Sequence, residues 1–372
     1  MTQKPLLFAV LTAATVALAG CPEAPAPTAG SAAPAGSPLM APTLASAVAV
    51  AAKPLPPMPK APPLPATPEG LPELKVPADN ALTAEKVMLG KQLFFDKRLS
   101  RDGSASCETC HVPEKGWTDG TALSKKVGGA MNVRHSPTMI NVGYNDAWYW
   151  DGRAETLEKN VEAAWKGQLG ADPAVIAAAL GKIPLYVVEF KAVFDSEPTP
   201  DAISRALASF IRTIRSGGSP WDLHEKGDKK AASDSAARGW ELFRNKAGCA
   251  QCHAPPSFTD NGFHNTGIGF DKPEPDTGRG KIVKDEKLDG AFKTPTLRSV
   301  TTHAPYFHDG RAETIEAAVD YMLSGGIKEK NRNLDPKLKA VKLSAKERED
   351  LLAFLKALEA PATPFERPTR PE

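Results

Sequence analysis

Two five-residue segments constrain this chain more than any other feature: CETCH at 107–111 and CAQCH at 249–253. In C-x-x-C-H, the cysteines can form thioethers to a porphyrin and the histidine can bind its iron, so this spacing is typical of c-type haem attachment. A zinc site would need four Cys or His ligands in tetrahedral reach, and a redox dithiol does not need the histidine. We therefore predict two covalently bound haems. The attachment and iron-binding residues are Cys107, Cys110, His111, Cys249, Cys252 and His253.

A longer phrase is also written twice, at an offset of 158 residues between Trp150 and His308. SPTMINVGYNDAWYWDGRAETLE begins at Ser136, and TPTLRSVTTHAPYFHDGRAETIE begins at Thr294. Each copy follows a C-x-x-C-H segment. The sequence thus predicts two copies of one haem-binding unit, with tryptophan in the first copy where the second has histidine.

Apolar residues recur at helical spacing, and no convincing run of alternating strand residues appears. Thr83 is a candidate N-cap, residues 203–214 follow an i, i+4, i+7 pattern, and Ser344 with Glu347 forms a capping box. We predict an all-α fold of two tandem cytochrome c-like haem domains related by the internal repeat. The predicted N-terminal domain spans 77–232 and the C-terminal domain spans 233–360.

The first twenty residues resemble a secretory signal, with Lys4 ahead of a short apolar run. The run ends in Leu-Ala-Gly-Cys, so residues 1–20 are predicted to be a lipoprotein signal peptide and Cys21 the lipidated residue. An ordinary cleaved signal with a chance cysteine is the alternative. A lipid anchor would be the only membrane attachment, in the periplasm and on the outer membrane.

Two segments have a composition that cannot bury enough apolar surface to fold alone. Residues 21–76 are rich in Pro and Ala and are predicted to be a disordered tether, and residues 361–372 a disordered tail. A flexible coil of this tether's length would reach roughly 40 Å. The formal net charge of +2 gives no sign of a nucleic-acid partner or of a polybasic membrane surface.

The haem segments, both DGRAET phrases and their order resemble the bacterial di-haem cytochrome c peroxidases, a group that includes the MauG-type enzymes. The resemblance runs from about Pro77 to Ala360. It implies that Trp150 lies between the two haems and helps electrons cross, whereas a plain core aromatic is the alternative. It also implies that His308 lies beside the second haem without binding iron.

The resemblance places Met322 at the position of a methionine that binds the second haem iron in the peroxidases. A thioether ligand raises the reduction potential of haem iron. MauG-type enzymes carry tyrosine there, and Tyr321 is one residue away. The undisturbed register favours Met322, and packing without ligation is the alternative.

At the first haem this sequence departs from the family pattern. Many members have a loop histidine that binds the oxidised iron, and Val127 stands at that position. The first haem is therefore expected to be open, as in MauG-type members. His135 and Met131 are the nearest substitute ligands.

The family's distal glutamate, which moves a proton during peroxide cleavage, aligns with Gln168. A glutamine can hydrogen-bond peroxide but cannot exchange a proton at neutral pH. Glu162 is the candidate replacement carboxylate, and an exposed helix glutamate is the alternative.

The family also binds calcium between the domains, through an asparagine that His135 replaces here and a carbonyl at the position of His303. Imidazole is a poor calcium ligand, so the resemblance leaves calcium open. His224 and His264 have no assigned role and are expected on the surface.

The leading interpretation is a di-haem peroxidase that reduces hydrogen peroxide to water. The expected electron donor is a small periplasmic protein, either a cytochrome c or a cupredoxin, and a homodimer stays open. One alternative is a MauG-like oxidase that modifies a tyrosine or tryptophan of a partner protein. Another is an electron-transfer cytochrome with both irons closed.

Overall fold

The computed structural model describes residues 54–360 and 366–369. The predicted signal peptide, Cys21 and the first part of the predicted tether lie outside the described residues. Within them, the α-helices are α1 (Ala84–Phe95), α2 (Leu157–Gly167), α3 (Pro173–Leu180), α4 (Pro184–Phe194), α5 (Pro200–Arg212), α6 (Pro220–Lys226), α7 (Asp234–Glu241), α8 (Arg279–Val283), α9 (Ile315–Leu323) and α10 (Ala345–Ala357).

The first hydrophobic core is organised by α1 and α5. Thr83 caps α1 as predicted, because its side chain accepts a hydrogen bond from the Lys86 amide. The two helices approach so closely that a Cβ atom on Gly90 would lie 1.9 Å from the carbonyl oxygen of Ala206. Only glycine leaves room for this crossing, around which Leu93 and other apolar side chains are buried.

The second core is organised by α7 and α10 in a similar way. The predicted capping box of Ser344 and Glu347 is confirmed at the start of α10. A Cβ atom on Gly239 would lie 2.0 Å from the carbonyl oxygen of Asp350, so this crossing also depends on glycine. Phe354 lies at the centre of the core and is fully buried.

The second core begins earlier in the chain than the predicted domain boundary at 232/233. Trp221, on α6, is buried in this core with its ring 5.0 Å from that of Phe354 in an edge-to-face contact. The first core ends at Ile214. The chain therefore passes from one core to the other between residues 214 and 221.

Helices dominate the described residues, as predicted, with a small exception. Strands β1 (Phe263–Asn265) and β2 (Ala291–Lys293) form an antiparallel pair in which His264 lies opposite Phe292. Three residues in each strand are too few to give a period-2 signal, which explains why the sequence did not indicate them.

The last part of the predicted tether makes defined hydrogen bonds with the rest of the described chain. The Arg215 guanidinium donates to the carbonyl oxygens of Pro65 and Ala66. Gly70 accepts a hydrogen bond of 2.8 Å from the buried guanidinium of Arg298. A buried guanidinium needs acceptors for its donors, and here the backbone of this proline-rich segment supplies some of them.

No single helix among the described residues is long and apolar enough to cross a bilayer. Helices α3 and α4 meet such a test only as a pair, and they are bent by 106° relative to each other.

Candidate haem sites

The first C-x-x-C-H segment begins with a 3-10 turn, Cys107–Thr109, which is followed by Cys110 and then His111. The His111 amide donates to the Cys107 carbonyl oxygen at 3.1 Å, which closes the turn. The His111 Nδ1 atom lies 3.1 Å from the carbonyl oxygen of Trp117. Because a carbonyl can only accept, Nδ1 carries the proton and Nε2 keeps a lone pair for a metal.

The second segment repeats this arrangement. Cys249–Gln251 forms a 3-10 turn, and the His253 amide donates to the Cys249 carbonyl oxygen at 2.9 Å. The Nδ1 atom of His253 donates to the carbonyl oxygen of Phe258 at 3.0 Å. Both acceptor residues have positive φ angles, 64° at Trp117 and 52° at Phe258, which turn their carbonyls toward the histidines.

Burial lowers the pKa of His111 and of His253 below the usual histidine value, so both rings are neutral near pH 7. Neutral imidazole is the form that binds iron. None of the four cysteines is in a disulfide. Among the described residues, the cluster of three potential metal ligands is Cys252, Asp260 and His264, so neither turn has the four ligands of a structural zinc site.

A cavity of about 260 Å³ lies at the second turn. Its wall includes Cys249, Cys252, His253 and Met322. Met322 reaches the cavity from α9, which the side chain of Thr314 caps. The structure thus brings together both thiols, an imidazole and a thioether in the wall of one cavity, a set of groups that fits a c-type haem.

Tyr321 does not line this cavity. Its hydroxyl donates to the carbonyl oxygen of Thr266 at 2.8 Å, and its ring contacts Phe307 edge-on at 5.1 Å. Neighbouring residues on a helix point about 100° apart, which is why Met322 and Tyr321 face different partners.

Trp150 also lines the cavity of the second turn. Its indole Nε1 atom donates to the carbonyl oxygen of His135 at 2.9 Å, and its ring lies 6.5 Å from that of His308. The ring of His308 stacks on Phe292 at 3.6 Å, and burial lowers its pKa to about 4. His308 is therefore a neutral, buried neighbour of Trp150.

Gln168 follows α2 as its C-cap residue. Its carbonyl accepts from the Val127 amide at 2.9 Å, and its Nε2 atom lies 3.4 Å from Asn132 Oδ1. The side-chain oxygen of Gln168 is buried and accepts no hydrogen bond from the described residues. A buried acceptor of this kind requires a donor, which a ligand or water would supply.

Glu162 lies elsewhere on α2. Its carboxylate is 44% exposed and pairs with Lys166 at 2.5 Å, one helical turn further on. The structure thus favours the exposed-glutamate alternative.

Of the two substitute iron ligands, Met131 is 47% exposed, and the Nδ1 atom of His135 donates to the carbonyl oxygen of Thr121.

The proposed calcium position contains imidazoles that are already constrained. The His135 imidazole has no oxygen to offer calcium, and its Nδ1–H is already bonded to the Thr121 carbonyl oxygen. His303 is buried, and burial lowers its pKa to about 4. Calcium, which prefers six to eight oxygen ligands, stays a prediction from the resemblance.

Sequence reasoning missed His264, which was expected on the surface. Its ring lies between two carboxylates, with Nδ1 at 2.6 Å from Asp335 and Nε2 at 2.8 Å from Asp260. A hydrogen bond to Cys252, followed by those to Asp335 and Asp260, raises the pKa of His264 to about 10. Of these two carboxylates, only that of Asp260 is close to His264 in the sequence. The contact with Asp335 could not be recognised from the sequence.

Arg298 was likewise missed. Its guanidinium is buried, pairs with both oxygens of Asp222 at 2.7 and 2.9 Å, and donates to the Pro256 carbonyl oxygen at 2.7 Å. Pro256 belongs to the loop between His253 and its acceptor Phe258. Arg298 therefore shapes the loop that orients the second iron-binding histidine.

Comparison with known proteins gives a consistent family. Residues 84–230 match the family model described as di-haem cytochrome c peroxidase. The chain is 40% identical over 310 residues to the methylamine utilization protein MauG of Methylorubrum extorquens, covering 82% of this chain and 86% of the relative. It is 34% identical to the cytochrome c551 peroxidase of Nitrosomonas europaea, covering 80% and 85% of the two chains.

A solved structure of a MauG-like protein associated with microbial copper homeostasis superimposes with a TM-score of 0.73 and 30% identity. The match covers 79% of this chain and 95% of that one. Three observations point to the same family. They are the two C-x-x-C-H turns with oriented histidines, the four cysteines without a disulfide, and these relatives. The chain belongs to the di-haem cytochrome c peroxidase family, a family of oxidoreductases with two c-type haems.

Proposed function

We propose that this protein is a periplasmic di-haem peroxidase that reduces hydrogen peroxide with electrons from a small donor protein, either a cytochrome c or a cupredoxin. The observation that carries the proposal is the shared cavity of His253 and Met322, with Trp150 in its wall. A histidine and a thioether are the axial pair that raises the potential of a haem in cytochromes c. We retain the lipid anchor at Cys21 as part of the proposal.

The two haems would supply the redox chemistry, and the protein would hold and separate them. Cys107 and Cys110 would attach the first, and His111 would present Nε2 to its iron. Cys249 and Cys252 would attach the second. Similar 3-10 turns, similar histidine acceptors and similar glycine crossings in the two halves support two tandem haem units, with the change of core between residues 214 and 221.

Trp150 is the residue we assign to the region between the two sites. His135 fixes its indole by a hydrogen bond, and the Lys293 amide donates to its carbonyl oxygen at 2.8 Å. A ring held at both its backbone and its side chain keeps one orientation. That rigidity suits electron transfer, because the contact with each neighbour stays constant.

Gln168 is the group we assign to peroxide at the first site. Its buried side-chain oxygen can accept a hydrogen bond from a peroxide O–H, which would orient the substrate. Its amide cannot take up a proton at neutral pH. We do not assign this task to Glu162, because that carboxylate is exposed and paired with Lys166.

The side-chain amide of Gln168 also supports a second candidate function, a MauG-like oxidase acting on a tyrosine or tryptophan of a partner protein. A site without a carboxylate would cleave peroxide slowly, and the chain resembles a protein named MauG over most of its length. The side chain of Met322 in the second cavity favours the peroxidase.

The two functions can be separated by steady-state oxidation of a reduced cytochrome c by hydrogen peroxide, using the full-length holoprotein. If Gln168 orients peroxide in a peroxidase, Gln168→Glu adds a proton-transfer group and raises turnover by about 100-fold, the lower end of the range of general acid–base catalysis. Glu162→Gln is the matched control and leaves turnover unchanged. Negligible turnover in the wild type and in both variants would exclude the peroxidase.

A further inference from the structure

Residues 366–369 lie against the first haem-attachment turn. The Arg367 guanidinium donates through its two terminal nitrogens to the two carboxylate oxygens of Glu114, at 2.7 and 2.8 Å. Its Nε atom donates to Glu108 at 2.5 Å. The guanidinium also lies 5.9 Å from the ring of Phe95, at the end of α1. This part of the predicted disordered tail therefore has defined partners.

The two carboxylates flank the chemistry of the first site. Glu108 stands between Cys107 and Cys110, inside the attachment turn itself. Glu114 follows three residues after His111, in the next 3-10 turn. Arg367 thus covers the outer side of the segment that would carry the first haem.

The contact has the properties of a reversible one. The side chains of Arg367, Glu108 and Glu114 are 47%, 26% and 57% exposed. Exposed ion pairs are weak and are screened by salt, although a two-pronged arginine–carboxylate pair has favourable geometry. The guanidinium holds the pKa of Glu114 below its usual range, which shows that the pair favours the ionised carboxylate.

We propose that residues 366–369 form a releasable strap, in which Arg367 occupies a carboxylate surface that otherwise binds a cationic protein. The surface consists of Glu108 and Glu114. These two carboxylates can bind a guanidinium group, as their contact with Arg367 of the same chain shows. The strap would compete with lysine- or arginine-bearing partners beside the first haem segment, whichever reaction the haems support.

Carboxylate footprinting tests whether the strap is closed. The holoprotein is treated with a carbodiimide and glycine ethyl ester at low salt, and modified peptides are measured by mass spectrometry. Glu108 and Glu114 should be modified several-fold more in Arg367→Ala than in the wild type, and high salt should remove the difference. Arg332→Ala, at an exposed arginine outside this contact, is the control and should match the wild type.

Binding of a fluorescein-labelled oligo-arginine peptide, followed by anisotropy, tests the competition. Arg367→Ala should bind about 2- to 5-fold more tightly than the wild type, as expected when a competing exposed ion pair is removed. Adding Glu108→Gln and Glu114→Gln to Arg367→Ala should abolish the gain. Equal footprints in the wild type and Arg367→Ala, or a gain that survives loss of both carboxylates, would overturn the proposal.

Discussion

The indole Nε1 atom of Trp150 donates a hydrogen bond of 2.9 Å to the backbone carbonyl oxygen of His135. The amide of the same histidine donates to the carbonyl oxygen of His308 at 2.7 Å. One peptide segment therefore holds the tryptophan of the first DGRAET phrase beside the histidine of the second. Trp150 and His308, which occupy equivalent positions in the two phrases, are thus neighbours with ring centres 6.5 Å apart.

This relationship predicts that Trp150→Phe slows electron transfer between the haems. The variant keeps an aromatic ring but loses the donor to His135, which also removes about 1 kcal/mol of stability. Rapid-mixing absorbance of the holoprotein with a reduced donor would follow each haem separately. Trp148→Phe is a matched control, because the Trp148 indole also donates to a backbone carbonyl, that of Val142 at 3.1 Å. Equal slowing in both variants would contradict a special role for Trp150.

Met322→Ala should lower the reduction potential of the second haem and change its spin state, because the thioether ligand is lost. Tyr321→Phe removes the hydrogen bond to Thr266 and should cost about 0.5–1.5 kcal/mol of stability, but should leave the potential unchanged. Redox titration and electron paramagnetic resonance would measure both effects. A potential that responds to Tyr321→Phe and ignores Met322→Ala would identify the tyrosine as the ligand.

The two glycine crossings predict similar losses of stability in the two halves. In Gly90→Ala and Gly239→Ala, the new Cβ atom would meet a backbone oxygen at 1.9 or 2.0 Å, so the helices must separate. Overpacking of this kind costs about 1–3 kcal/mol. Gly167→Ala, on α2, meets no atom within 4 Å and should be neutral or slightly stabilising. Denaturant unfolding of the holoproteins would show whether this order holds.

Glu189, on α4, predicts a loss of stability as pH rises. Burial raises the pKa of this carboxyl from 4.5 to about 7, so the folded protein holds its proton more tightly than the unfolded chain does. The resulting stabilisation is complete below pH 4.5 and is lost as pH rises through about 7. Glu189→Gln cannot ionise, so its stability relative to the wild type should increase across this window.

The check is denaturant unfolding at several pH values. Glu225→Gln, at an exposed position on α6, controls for the loss of one carboxylate and should follow the wild type. A stability difference between wild type and Glu189→Gln that stays constant from pH 4.5 to 7 would contradict the raised pKa.

Several features of the fold could be predicted because their signals are local. The cap at Thr83, the capping box at Ser344 and the amphipathic pattern of α5 depend on residues a few positions apart. The C-x-x-C-H spacing likewise fixes its own turn. In each of these cases, the local structure is determined by residues that lie next to it in the sequence.

What the sequence could not provide depends on distant pairs. Asp335 reaches His264 across 71 residues, and Arg367 reaches Glu108 across 259. The exposed state of Glu162 is set by which face of α2 packs on the core. A pattern within one segment carries no information on such partners, so the tail was expected to be loose and His264 to be on the surface.

The bond between Arg298 and Gly70 has a consequence for the order of assembly. The carbonyl of Gly70 is made early in synthesis, and its partner follows 228 residues later. The first core can close around α1 and α5 before that partner exists, since chains generally fold from the N-terminus during synthesis. The bond to Gly70 must therefore wait until Arg298 has been made, whereas the Arg215 bonds to Pro65 and Ala66 can form earlier. A segment that is made early thus completes its hydrogen bonds only after much of the chain has followed.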